Sequence, residues 1–213
     1  MTVVAICRLI GGMKHFSLLT GFLLFVCGHC GAEPEKWLKA AEQGDAQAQL
    51  NLAYAYAKGK GVAQDPEKAF KYFKLTAEDG IDFAQYQVAL CYAKGNGVVK
   101  NDQLAFAWLQ KAAMQNVAPA QYALGLCYKH GRGIPVNDKA AFESFHDAAL
   151  KGYAKAQLEM AKCYTEGTWI AKDAKLAQEW AEKARSEESL FSQQQWDERY
   201  ELWPPKEGLI TNH

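Results

Sequence analysis

The sequence predicts an all-α solenoid, on three observations. One pattern recurs four times at a spacing of 36 residues, apolar residues fall at helical spacing in two segments of each copy, and a glycine-bearing turn separates those segments. The columns agree when the copies are stacked: Ala48, Ala84, Ala120 and Ala156; Gln49, Gln85, Gln121 and Gln157; Tyr56, Tyr92, Tyr128 and Tyr164; Gly59, Gly95, Gly131 and Gly167. A unit of this length buries its apolar face only by stacking on its neighbours, so function has to be argued from an array.

Residues 1–32 read as an export signal. Lys14 and His15 precede the apolar run 16–26 (FSLLTGFLLFV), and Gly28, Gly31 and Ala32 follow it before the charged EPEK. Basic, apolar, then small is the order the secretory machinery recognises, and the run is short for a stable membrane span. Met13 is an alternative start, and cleavage is expected near Ala32. The competing reading is an uncleaved amphipathic helix or anchor. Cys27-Gly-His-Cys30 has the spacing of a thiol-disulfide oxidoreductase, but that chemistry needs a strand before the motif and a helix after it. Here a signal core precedes and a cleavage region comes next, which argues against redox function. Neither cysteine combines a leucine three residues before it with a small residue immediately before it, so lipidation is also disfavoured.

Charge excludes some partners. The chain has 24 basic and 24 acidic side chains, and loss of the leader removes Arg8 and Lys14 but no acid. That balance leaves no electrostatic footprint for nucleic acid or a bare anionic membrane.

After the leader, 33–44 reads as a capping helix, because WLKAAEQG at 37–44 aligns with 73–80. The repeats then run 45–80, 81–116, 117–152 and 153–188. In the first, Ala48, Leu52, Ala53 and Tyr56 form one helical stripe that Gly59 and Gly61 stop. Asp65, Asn101, Asn137 and Asp173 are good N-caps for a second helix, with Pro66 where its missing N–H costs nothing. That helix carries Ala69, Phe70, Phe73 and Ala77, and ends at Gly80, with Asn116 and Gly152 in the same role later. Copy four departs at Trp169 for the second glycine, Gln178 for the phenylalanine and Arg185 for an alanine. Ser192, Gln193 and Tyr200 fall on repeat columns, so 189–203 reads as a first helix closing the stack, with Trp196, Tyr200 and Trp203 on one face. Pro204 and Pro205 end it, and 204–213 is a tail.

These residues resemble the Sel-one-like repeat (SLR) family, a relative of the tetratricopeptide repeat. The likeness rests on LGLCYKHGRGIPVNDKAAFESFHDAALKGYAKAQ in copy three and AYAYAKGKGVAQDPEKAFKYF in copy one. The resemblance implies a right-handed superhelix whose first helices line a concave face, and roles in assembling bacterial envelope machines or contacting host factors. Some exported members place a second cysteine in each repeat to join its two helices; here that second cysteine is missing.

Little in the chain carries chemistry. Cys91, Cys127 and Cys163 share a column, and equivalent positions on stacked helices lie about 8 to 10 Å apart, beyond disulfide reach. They read as buried free thiols. His130 and His146 fall in charged columns and read as solvated. No HExxH, no serine with lysine three residues on, and no phosphate-cradling loop occurs, so no catalytic, cofactor or metal residue is assigned. An enzyme acting on wall peptides or β-lactams is the alternative class the family suggests.

What remains is a surface. Leu50, Tyr54 and Lys58 lie four apart on the first helix, matched by Tyr86, Leu90 and Lys94, by Tyr122, Leu126 and His130, and by Leu158, Lys162 and Glu166. Aromatic rows with a basic edge suit a protein or peptide segment of acidic character, as in a scaffold or adaptor, with an envelope complex or a host factor as partner. The competing reading is that Tyr86 and Tyr122 only pack between repeats. The expected location is the bacterial periplasm or beyond.

Overall fold

The computed structural model describes residues 34–200, and the described residues form ten α-helices without a strand. After α1 (Pro34–Glu42) come four pairs: α2 (Ala46–Lys58) with α3 (Pro66–Glu78), α4 (Asp82–Lys94) with α5 (Asp102–Met114), α6 (Ala118–His130) with α7 (Asp138–Leu150), and α8 (Ala154–Glu166) with α9 (Ala174–Ala184). The last is α10 (Glu187–Tyr200). Each helix packs on the next in sequence, as a solenoid requires. The expected leader, Trp203 and the tail lie outside the described residues. Among the described residues no helix is long and apolar enough to cross a membrane.

Local chemistry sets every boundary. Side chains of Asp65, Asn101, Asn137 and Asp173 accept from the backbone N–H of Lys68, Leu104, Ala140 and Leu176, satisfying donors the helix leaves open. The backbone N–H of each of these caps also donates to the carbonyl of a column tyrosine, Tyr56, Tyr92, Tyr128 or Tyr164, which fixes the turn between the paired helices. Asp45 caps α2 in the same way, but α4, α6 and α8 start after Ile81, Val117 and Tyr153 with no side-chain cap. Val117 and Tyr153 are buried, so inside the stack an apolar contact takes the place of the polar cap.

Two ladders join successive repeats. Phe70 meets Tyr92 edge-on at 5.2 Å, Phe106 meets Tyr128 at 5.3 Å, and Phe142 meets Tyr164 at 6.0 Å. Such pairs contribute about 0.5–1.5 kcal/mol each beyond burial. The side-chain amides of Gln49, Gln85, Gln121 and Gln157 donate to the carbonyls of Ala41, Ala77, Ala113 and Ala149, eight residues back. All four glutamines are buried, which the bond to the preceding helix makes tolerable.

Both ladders stop at copy four, and α10 leaves the stack there. Gln178 offers Tyr200 no ring. Gln193, on the glutamine column, spends its amide on Asp197 and its oxygen on the Lys155 N–H. The helix begins at Glu187 and reaches back past α8 to α6, instead of stacking as one more first helix. Trp196 donates to the Lys151 carbonyl at 3.4 Å, and Lys155 faces Asp197 at 3.9 Å. A helix of 14 residues is about 21 Å long, enough to cross two first helices spaced about 8 to 10 Å apart.

Candidate functional site

Five of the nine groove residues expected from sequence line one cavity of about 470 Å3: Tyr54, Lys58, Tyr86, Leu90 and Lys94. They project from α2 and α4, four residues apart on each helix, which is why they share a face. Lys58 and Lys94 are exposed at the helix ends, so both keep their hydration. Tyr54 is half-buried with the Lys60 ammonium 5.1 Å from its ring centroid.

The remaining residues are placed differently. Leu50 is 3% exposed and belongs to the core with Phe73 and Phe83, so it offers nothing to a ligand. Tyr122 packs between Phe145 of its own repeat at 5.8 Å and Tyr153, at the start of the next, at 5.4 Å. Leu126 is half-buried against the same cluster, and His130 is exposed. His146, expected to be solvated, is half-buried between Phe142 and Trp180, because Trp180 of the next copy covers it.

One wall of the cavity is the chain's own C-terminal helix. Tyr200 is 1% exposed, with its ring 5.9 Å from Tyr86 and 5.9 Å from Phe83. Its hydroxyl donates to Asp82 Oδ2 at 2.7 Å, and its carbonyl accepts from Gln87 Nε2 at 2.7 Å. Tyr86 is 7% exposed beneath it. Cys91 also lines the cavity and is half-buried, a departure from the fully buried expectation, whereas Cys127 and Cys163 are buried; all three are free. Burial pushes the Cys91 thiol up to about 11, with Lys94 pulling weakly the other way. It is a poor nucleophile at neutral pH.

Further along the same set of helices, Glu159 is 7% exposed and holds Lys129 at 2.8 Å and Lys162 close by. Burial pushes its carboxyl up, but the hydrogen bonds from Lys129 and Lys162 outweigh that and leave it below its ordinary value of 4.5. No cluster of three or more metal-ligating side chains occurs among the described residues.

A profile of the Sel1 repeat matches residues 46–81, 82–117, 118–153 and 154–188, each within a residue of one helix pair and its turns. The chain belongs to the Sel1 repeat family. Among solved structures it is similar to a protective antigen present in uropathogenic Escherichia coli strains that displays an SLR fold. The identity is 32% over 79% of this chain, with a TM-score of 0.71. This chain spans only 36% of that one. A Sel1 repeat protein from Oxalobacter formigenes is 29% identical over 78% of this chain and 76% of its own length, with a TM-score of 0.69. No curated protein sequence matches. Sel1 repeats generally mediate protein–protein interaction, typically as non-enzymatic scaffolds.

Sequence reasoning on this Sel1 array missed Asp82, Gln87, Lys129 and Glu159. The last two had a signal: Lys129 stands in a column of Ala57, Ala93 and Thr165, and Glu159 in one of Asn51, Gln87 and Ala123. Two lone charges of opposite sign, 30 residues apart, mark adjacent first helices. Because the folded carboxyl titrates below its unfolded value, its contribution is complete above about pH 5 and declines as pH falls below 4.5. Thermal melts of Glu159→Gln and wild type are therefore expected to differ most near pH 7 and to converge toward pH 3; a gap independent of pH would contradict this.

Proposed function

We propose that the protein is an exported interaction scaffold, which holds a segment of a partner protein on the first-helix face of its Sel1 repeats. The observation that carries this is the convergence of Tyr54, Lys58, Tyr86, Leu90 and Lys94 on one cavity. Apolar and aromatic walls supply burial, and two ammonium groups at the edge favour an acidic segment and speed its encounter. Export to the bacterial periplasm or beyond is supported by the signal-like residues 1–32, and a host-facing role by the likeness to a chain described as a protective antigen.

Crosslinking and pull-down from envelope fractions tests both parts. The double variant Lys58→Glu, Lys94→Glu is expected to lose the partners that wild type captures while melting within a few degrees of it, since both lysines are exposed and exposed substitutions change stability by about 0.5 kcal/mol. Retention of the same partners would refute the groove. Export predicts a mature N-terminus near Glu33 in the envelope or medium, and an intact leader in the cytosol would refute it.

A further inference from the structure

The junction between α6 and α8 carries three charges where the two earlier first-helix junctions carry none. Between α2 and α4 the cavity is lined by Ala57, Gln87 and Leu90, and the same columns between α4 and α6 hold Ala93, Ala123 and Leu126. Between α6 and α8 they hold Lys129, Glu159 and Lys162. Glu159 Oε2 accepts from Lys129 Nζ at 2.8 Å and Oε1 accepts from Lys162, so one carboxylate, 7% exposed, holds an ammonium from each helix. The Tyr122 hydroxyl has these three groups and Lys155 as its charged neighbours. Lys155 itself pairs with Asp197 at 3.9 Å, and Glu166 is exposed at the end of α8.

Stability does not account for the arrangement. Burying ions costs hydration that their attraction only partly returns, so neutral residues of similar size usually hold such a place as well or better. The earlier junctions are held that way. What the charges add is chemistry at the surface. Each ammonium has three donors and gives one to Glu159, and the Lys129 and Lys162 side chains are 32% and 57% exposed, so the other donors are open to solvent. Two cations on one carboxylate leave the group net positive.

We propose that Lys129 and Lys162, held side by side by Glu159, form a second station on the first-helix face, which binds a carboxylate of an acidic partner peptide. This rests on the groove reading above and adds to it the layout of the partner. The station takes, in the third junction, the place that the cavity has in the first, two helix spacings or roughly 16 to 20 Å away. An extended chain advances at most about 3.3–3.6 Å per residue, so a segment seated in the cavity needs at least about five residues to bring its acid to the station.

The test titrates the full chain with tetraglutamate while NMR follows the lysine side-chain resonances. Lys129 and Lys162 are expected to shift saturably, with a midpoint at least about fivefold lower than that of Lys74 and Lys175, exposed lysines that each face one carboxylate four residues on. Tetraglutamine is expected to move none of the four. Equal midpoints, or an equal response to tetraglutamine, overturn the inference. A variant then replaces the third junction by the first: Lys129→Ala, Glu159→Gln, Lys162→Leu installs the residues found at 57, 87 and 90. It is expected to melt within about 5 °C of wild type and to lose the partners that wild type retains from envelope fractions. A larger fall in melting temperature would make the cluster a structural staple, and undiminished capture would take it out of the partner's path; either result overturns the inference. The two proposals fail separately. If Lys58→Glu, Lys94→Glu keeps its partners while the junction variant loses them, the cavity reading falls and the station stands; the reverse leaves the cavity without a second station.

Discussion

Gly133→Ala is expected to destabilise the array by about 2–5 kcal/mol, read as a fall in the urea midpoint without a change in slope. The residue has φ +74, and a Cβ there would lie 2.1 Å from the Asp102 carbonyl oxygen and 2.5 Å from its carbon. The left-handed backbone alone costs an L-residue about 1–2 kcal/mol, and the clash is with backbone, which no rotamer change relieves. Gly97 repeats the situation against Pro66, with the Cβ 2.0 Å from its oxygen. Gly44→Ala is the control, because it shares the left-handed backbone at φ +87 but meets nothing within 4 Å, and only the first of the two effects applies. Equal losses at Gly44 and Gly133 would show that turn-to-helix proximity contributes nothing.

Phe145→Ala is expected to be comparably severe, about 3–5 kcal/mol, since it empties a site that is 1% exposed. Phe145 lies on Gly125, where the other repeats have Ala53, Ala89 and Ala161, and a Cβ at 125 would be 2.6 Å from the ring as it is placed here, although copy one pairs Ala53 with Phe73. Copy two carries Ala89 and Leu109 in the matching positions. Gly125→Ala with Phe145→Leu is therefore expected to recover a large part of what Gly125→Ala alone loses, as chemical melts of the three variants would show. Because each repeat touches only its neighbours, loss at Phe145 should also let the last two repeats open before the first two in hydrogen exchange.

The helices and turns were legible because each rests on local chemistry repeated four times: cap residues at 65, 101, 137 and 173, and the glycines after α2, α4, α6 and α8. The residues lining the cavity were legible where helical spacing alone decides, as for Tyr54 with Lys58 and Leu90 with Lys94. The path of α10 was not. Tyr200 sits on the tyrosine column, and the clue against stacking lay elsewhere, in Gln178, which lacks the ring that a stacked Tyr200 would meet. Periodicity assigns a residue to a column but does not say whether the column's partner exists. Trp169 shows the opposite case: the glycine is gone, yet the backbone keeps φ +67, with the Lys139 ammonium of the preceding repeat 5.6 Å from its ring centroid.

The bonds from buried glutamine amides to carbonyls eight residues back carry an implication for how such a chain can grow. Donor and acceptor flank each junction between units, so duplicating a whole unit copies both and keeps each buried amide bonded to its carbonyl. Inserting or deleting a part of a unit separates the two and strands a buried amide. The length of such an array is thus expected to change in steps of 36 residues, since a fractional insertion would leave a buried amide unpaired.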